Sequence, residues 1–259
     1  MSDESRKSVL QTSAVIISND GAIVVRDPND PILFGMPVGE KAVLTLLVLD
    51  RSGSMATHGD QPLIALNELI QNLRTTEGAD RTFAGIITFA GDVRWDVQPM
   101  PATELEDRTS YVANGSTALY QAVHEALTKG LAFKKFFMDK AKREVDVVIA
   151  VITDGEDMAG PVELIPEVRK LSEEARKQGC KLLPIGIGID AMNLSRMLGF
   201  TPGLAVTVEP TREGVSRATR TASVLFSQTM IMGFSKDEPP EKKPVKTSRT
   251  DSQPISSRP

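Results

Sequence analysis

Two long apolar runs constrain the fold of this chain more than any other feature. Ala42–Asp50 and Val145–Thr153 are rich in Val, Leu and Ile and carry almost no polar residue before their last position. A strand with one solvent-exposed face would alternate between apolar and polar residues, whereas a strand buried on both faces is apolar almost throughout. The two runs therefore predict central strands of a parallel sheet covered by helices on both sides.

Strand-like and helix-like patterns alternate along the rest of the chain. Further strands are predicted at residues 82–89, 93–98, 181–189 and 204–208, and helices at residues 62–74, 117–137, 162–177, 192–198 and 212–230. This order predicts a doubly wound, mostly parallel six-stranded α/β sheet. Residues 93–98 follow the preceding strand after Gly91-Asp92, so we expect them to form an antiparallel strand at one edge.

The two ends of the chain differ from this core. Residues 1–41 form an N-terminal extension, in which residues 14–26 predict a β-hairpin that turns at Asn19-Asp20-Gly21. Residues 42–234 are expected to form one domain. The tail, residues 235–259, has five prolines, two aliphatic residues, and six Lys or Arg against four Asp or Glu. We expect the tail to be disordered, because it cannot bury enough apolar surface to fold.

Composition excludes several classes of function. One cysteine, Cys180, and two histidines, His58 and His124, leave no disulfide framework and no multi-cysteine zinc site. A net charge of −4 gives no indication of nucleic-acid binding. Without a signal peptide or an apolar run of membrane-spanning length, we expect a cytoplasmic protein that contacts no membrane. Cys180 is expected to be a small buried hydrophobe, and His58 an exposed loop residue.

Oxygen-bearing side chains collect in three loops that follow the predicted strands. Asp50, Ser52 and Ser54 follow the first core strand at intervals of two, so they point the same way in an extended loop. Thr117 stands at the start of a predicted helix, and Asp154 stands where the second apolar run ends. The carboxyl ends of parallel strands meet at one edge of a sheet, so we expect the loops to converge there. Carboxylate and hydroxyl oxygens are the hard ligands that Mg²⁺ or Mn²⁺ prefers.

This set of residues resembles the metal-ion-dependent adhesion site, or MIDAS, of von Willebrand factor A domains. That family has Asp-x-Ser-x-Ser in the first loop, a Thr in the second and an Asp in the third. The matching residues here are Asp50, Ser52, Ser54, Thr117 and Asp154. The resemblance covers residues 42–231, and the phrases LDRSGSM, GSTALY and VITDGED are similar to small intracellular bacterial members of the tellurium-resistance group.

The resemblance implies binding and no catalysis. In that family the Ser and Thr hydroxyls contact the cation, and the two Asp act largely through bound water. One coordination position is left for an Asp or Glu carboxylate of a partner protein. The resemblance therefore implies a Mg²⁺ or Mn²⁺ cofactor, a protein partner, and a place in a bacterial stress-response or signalling complex.

Other interpretations of the same residues stay open. Ser54 and Thr117, taken singly, are typical helix caps. A phosphohydrolase of the haloacid-dehalogenase type also begins with a buried strand that ends in Asp, but it needs a second carboxylate where this chain has Ser52. A domain of this fold without a working metal site would serve as a scaffold. The pattern Gly186-x-Gly188-x-x-Ala191 is a weak dinucleotide motif, because only a short helix is predicted after it.

Overall fold

The computed structural model describes residues 41–139, 143–155 and 161–232, together with the backbone of two short strands, β1 (Val15–Ile17) and β2 (Ile23–Val25). These two strands pair antiparallel where the sequence predicts a hairpin. The predicted turn of that hairpin, the other residues before Lys41 and the tail at 235–259 lie outside the described residues.

Six strands and five helices build the main body of the described chain. The strands are β3 (Ala42–Asp50), β4 (Thr82–Phe89), β5 (Val93–Pro101), β6 (Val145–Thr153), β7 (Lys181–Ile187) and β8 (Val206–Val208). The helices are α1 (Gln61–Thr75), α2 (Leu119–Asp139), α3 (Leu164–Lys177), α4 (Ala191–Leu198) and α5 (Arg212–Met232). Each element lies within a few residues of its predicted range. The helix predicted from residue 117 begins two residues later, because Ala118 still belongs to the loop and donates its N–H to the carbonyl of Ala90.

The six strands form one sheet in the order β5-β4-β3-β6-β7-β8. All neighbours run parallel except β4 and β5, which pair antiparallel. The predicted α/β sheet with one antiparallel edge strand is confirmed. The chain adds β4 on one side of β3 and β6 on the other, so the strand order reverses at β3. In open α/β sheets, ligands bind in the crevice at such a reversal, beyond the carboxyl ends of the strands.

The central strand β3 shows why its sequence is apolar on both faces. All nine of its residues are buried. Leu46 packs in one core with residues of α2, α3 and α4, and Leu47 packs on the opposite face with residues of α1 and α5. Burying a Leu side chain contributes about 2 kcal/mol, so the alternate residues of β3 fix the sheet between two helical layers.

Two predictions about single residues have opposite outcomes. Cys180 is buried, as expected for a small hydrophobe. The prediction that His58 is exposed is wrong, because the side chain is buried with 3% of its surface exposed. Residues Gly53–His58 form a 3₁₀ turn, and this turn directs Met55 and His58 into the protein.

None of the described helices is long and apolar enough to cross a membrane.

Candidate metal centre

Asp50 is a fully buried carboxylate at the end of β3. Its Oδ1 accepts the N–H of Ser52 at 2.7 Å, and its Oδ2 accepts the hydroxyl of Thr153 at 2.5 Å. Burial raises the pKa of Asp50 to about 6, and the Asp154 carboxylate adds to the rise, although the bonds from Thr153 and Ser52 oppose it. None of the described basic side chains forms an ion pair with Asp50, so this edge of the sheet favours a positive charge.

The hydroxyls of the first loop connect Asp50 to the third loop. Ser52 Oγ lies 3.0 Å from Ser54 Oγ, and Ser54 Oγ donates to Asp154 Oδ1 at 2.7 Å. Ser52 is buried, while Ser54 is exposed and Asp154 half-buried. The interpretation of Ser54 as a helix cap is not supported, because its hydroxyl is directed at Asp154. The site therefore has a buried floor at Asp50 and Ser52 and an open rim at Ser54 and Asp154.

The second loop is joined to the first through backbone atoms. Gly53 donates its N–H to the carbonyl of Gly115 at 2.9 Å. Gly115 has a φ of 91°, a conformation that favours glycine. This turn brings in Thr117, which is buried and has its Oγ1 3.7 Å from the position that a β-carbon on Gly155 would occupy. Thr117 thus lies beside the third loop, at the same edge of the sheet.

The spacing of these oxygens fits a small divalent cation. In an octahedral site with Mg²⁺–O bonds of 2.0–2.1 Å, adjacent ligand oxygens lie about 2.9 Å apart. The pairs Ser52–Ser54 and Ser54–Asp154, at 3.0 and 2.7 Å, match that spacing. Within the described chain, no group of three or more His, Cys, Asp or Glu side chains could hold a metal ion. A cation at this edge would therefore depend on hydroxyl oxygens as well as on the two carboxylates.

The structure joins four of the five predicted residues into one hydrogen-bonded group and places Thr117 beside it. Sequence reasoning assigned no role to Thr153, which is fully buried and also accepts the N–H of Gly155 at 3.1 Å. A hydroxyl in the last position of an apolar strand is a sequence signal that could have indicated this contact with the Asp50 carboxylate.

Tyr111 was also missed by sequence reasoning. Its hydroxyl donates to the backbone carbonyl of Asp50, and burial, with the nearby Asp50 charge, raises the pKa of this phenol, so it stays protonated. Tyr111 lies in an irregular segment, and no local pattern in the sequence indicates this contact.

The glycines of the weak dinucleotide motif have a packing explanation. A β-carbon on Gly186 would lie 2.5 Å from the carbonyl oxygen of Ile189. Gly188 donates its N–H to the carbonyl of Val208 at 2.7 Å. Close backbone approach accounts for Gly186. A φ of 72° and the 2.8 Å from a β-carbon to Pro210 account for Gly188, whose amide is already bonded within the protein.

Comparison with known proteins identifies the domain. The family model of the von Willebrand factor type A domain matches residues 46–221. No curated protein matches the chain.

Solved structures with the same fold come from distant proteins. The pilus adhesin SpaC from Lactobacillus rhamnosus GG, in an open conformation, has a TM-score of 0.57 and 13% identity, over 74% of this chain and 31% of that one. A von Willebrand factor type A protein from Catenulispora acidiphila has a TM-score of 0.52 and 14% identity, over 73% and 43%. Proximal thread matrix protein 1 from the mussel byssus has a TM-score of 0.50 and 16% identity, over 73% and 47%. This chain thus spans less than half the length of each, and at these identities the likeness shows the fold alone.

Proposed function

This chain belongs to the von Willebrand factor type A domain family, and from that premise we propose that it is a metal-dependent protein-binding module and not an enzyme. Domains of this family commonly mediate protein interactions and often hold a divalent metal at the MIDAS. In this proposal Asp50, Ser52, Ser54, Thr117 and Asp154 hold Mg²⁺ or Mn²⁺, and the partner contributes an Asp or Glu carboxylate. The run of oxygens from Ser52 through Ser54 to Asp154, at ligand spacing, is the observation that supports it most.

The residues of the proposed metal site have different roles. When bound, the cation supplies positive charge and a coordination position for an incoming carboxylate. Ser52, Ser54 and Thr117 would contribute neutral hydroxyl oxygens, which do not cancel that charge. Both Asp50 oxygens already accept hydrogen bonds, so this carboxylate would offset the charge of the cation from the buried floor of the site. Ser54, exposed at the rim, leaves the approach open to a partner.

Phosphoryl transfer through Asp50 is disfavoured by its surroundings. A nucleophilic carboxylate needs an oxygen that substrate can reach, and Asp50 is fully buried with both oxygens occupied. The position that would carry the second carboxylate of such an enzyme is Ser52, whose hydroxyl contacts Ser54. A serine hydroxyl is a poor general acid or base at that position, so the step in which the leaving group is protonated is disfavoured.

The setting that we propose is a cytoplasmic bacterial stress-response or signalling complex. The phrases LDRSGSM, GSTALY and VITDGED support this setting, because they are similar to those of tellurium-resistance-type proteins. Nucleic acid and membrane have no place in the proposed function.

Calorimetric titration with Mg²⁺ and Mn²⁺ tests the metal site directly. We expect Ser54→Ala to lower the affinity at least tenfold, because it removes an exposed ligand without disturbing the core. Ser116→Ala is the matched control: it removes an exposed hydroxyl from the neighbouring loop and should change the affinity less than twofold. Equal affinities for the wild type and Ser54→Ala would refute the assignment.

Pull-down from a bacterial lysate, with and without EDTA, tests the binding function. Partners that are lost both with EDTA and with Ser54→Ala support the proposal. Partners that are indifferent to both indicate a metal-independent scaffold. Turnover of p-nitrophenyl phosphate that disappears in Asp50→Asn would overturn the non-enzymatic assignment.

A further inference from the structure

A cavity of about 120 Å³ lies beside the candidate metal centre, on the side of β4 and β5. Three arginines line it, Arg51, Arg94 and Arg108, together with Ser110 and Tyr111. Its volume is several times what one water molecule requires, so a small polar group fits.

The cavity and the metal centre share two residues. Arg51 stands between Asp50 and Ser52 in the first loop, and its side chain lines the cavity. Tyr111 also lines the cavity and donates its hydroxyl to the carbonyl of Asp50. The cavity therefore lies directly beside the first loop of the metal centre.

The residues that line the cavity, together with the aspartate that pairs with two of them, leave one positive charge in excess. The Asp50 and Asp154 carboxylates, whose charges also reach Tyr111, belong to the metal centre, where a bound cation would offset them. Asp92 accepts hydrogen bonds from both Arg51 and Arg94, and these bonds, with that from Arg94 the stronger, lower the pKa of Asp92. Asp96 stands exposed at the rim. None of the described acidic side chains lies within ion-pair distance of the Arg108 guanidinium. Three arginines against two aspartates match a monoanion, such as a carboxylate, better than a phosphate dianion.

Two polar atoms of the cavity residues lack a hydrogen-bond partner. Thr88 Oγ1 and Arg51 Nε are buried without one among the described residues. Thr88 is 2% exposed, and the side chain of Arg51 is 10% exposed. Native proteins pair nearly all their buried polar groups, with protein atoms, water or ligand. These two atoms have almost no solvent-accessible surface, so a ligand in the cavity would be held by the more exposed guanidinium groups of Arg94 and Arg108.

We propose that the cavity binds a second carboxylate of the partner protein, next to the carboxylate that the metal takes. This inference rests on the proposed function and extends its recognition surface. The guanidinium of Arg108 and the free nitrogens of Arg94 would donate to the carboxylate, since arginine and carboxylate match in bidentate geometry. The partner would then need two neighbouring acidic groups, one for the metal and one for the cavity. Binding at the metal alone would need only one.

Amide NMR with sodium acetate as the probe tests the cavity without the metal. The protein is kept in EDTA, and sodium chloride holds the ionic strength constant. We expect saturable shifts at the amides of Arg94, Ser110 and Tyr111, and at least tenfold weaker binding in Arg108→Gln. The matched control, Arg176→Gln, removes an exposed arginine from α3 and should bind acetate as the wild type does. Absence of saturable shifts, or unchanged binding in Arg108→Gln, would overturn the inference.

Two further titrations of the same sample separate the alternatives. Inorganic phosphate that binds more tightly than acetate would overturn the carboxylate assignment in favour of a phosphoryl group. Mg²⁺, added after removal of EDTA, should shift the amides of Ser52 and Ser54. A response to Mg²⁺ without a response to acetate would overturn the cavity site alone. A response to acetate without one to Mg²⁺ would overturn the proposed function and leave an anion site in the cavity.

Discussion

Thr153 joins two loops of the candidate metal centre, and its replacement by Val tests how those loops are held. The side chain is fully buried at the end of β6. Its hydroxyl donates to Asp50 Oδ2 at 2.5 Å and accepts the N–H of Gly155 at 3.1 Å. Val has nearly the same shape, so the substitution opens no cavity and removes these two hydrogen bonds, together with a 3.0 Å contact from the hydroxyl to the carbonyl oxygen of Gly155.

The expected loss follows from the kinds of bond removed. A hydrogen bond to a charged group contributes about 1.5–3 kcal/mol and a neutral one about 0.5–1.5 kcal/mol. Gly155 is half-buried, so water can replace part of its lost bond. We expect Thr153→Val to lower the free energy of unfolding by about 3 kcal/mol at pH 7, where Asp50 is ionised. For a domain of this size, that corresponds to a drop in Tm of roughly 6–12 °C.

Thermal unfolding in EDTA, followed by circular dichroism, measures this loss against a matched control. Thr45 is also buried, on β3, but its hydroxyl makes only a long bond of 3.4 Å to the carbonyl of Phe83. Thr45→Val should therefore cost less than about 1 kcal/mol. Equal losses in the two variants would refute the reasoning, because the bond to the Asp50 carboxylate would then contribute nothing of its own.

Three further predictions concern single positions. Thr88→Val should leave the free energy of unfolding, measured in urea, unchanged or raise it by up to about 1 kcal/mol, because the buried hydroxyl has no partner among the described residues. A decrease in that free energy would show that the hydroxyl has a hydrogen-bond partner. Gly115→Ala should lower the free energy of unfolding by about 1–2 kcal/mol, since φ at Gly115 is 91°; unchanged stability would contradict that strain. Burial raises the pKa of the Cys180 thiol, so Ellman's reagent should react with it only after unfolding, and rapid reaction of the native protein would show an open route to it.

The parts of the site that the sequence predicts correctly are those that strand register dictates. The parallel pairing of Leu49 with Ile152 places the next residues, Asp50 and Thr153, side by side. The apolar runs predict these strands, so the meeting of the first and third loops follows from them. A strand buried on both faces has few other ways to pack, which is why this part of the fold is readable from one sequence.

The contacts that escaped prediction are made by irregular segments. Arg51 pairs with Asp92, and Tyr111 reaches the carbonyl of Asp50, through the paths of loops that have no periodic pattern. The burial of His58 has the same origin, since a 3₁₀ turn decides which way the side chain points. Such paths are set by tertiary hydrogen bonds such as the one from Gly53 to Gly115, and local sequence does not encode them.

The candidate metal centre is held in two different ways. Its first and second loops are joined by backbone bonds from Gly53 to the carbonyl of Gly115 and from Asn114 to the carbonyl of Arg51. In its described part, the third loop joins the first through side-chain hydroxyls, from Ser54 to Asp154 and from Thr153 to Asp50. Bonds to those two carboxylates depend on their charge, whereas the backbone bonds do not. The third loop is therefore the part of the site whose position should respond most to a bound cation, because Ser54 and Asp154 belong to the proposed metal site and the charge of Asp50 would be offset by the cation.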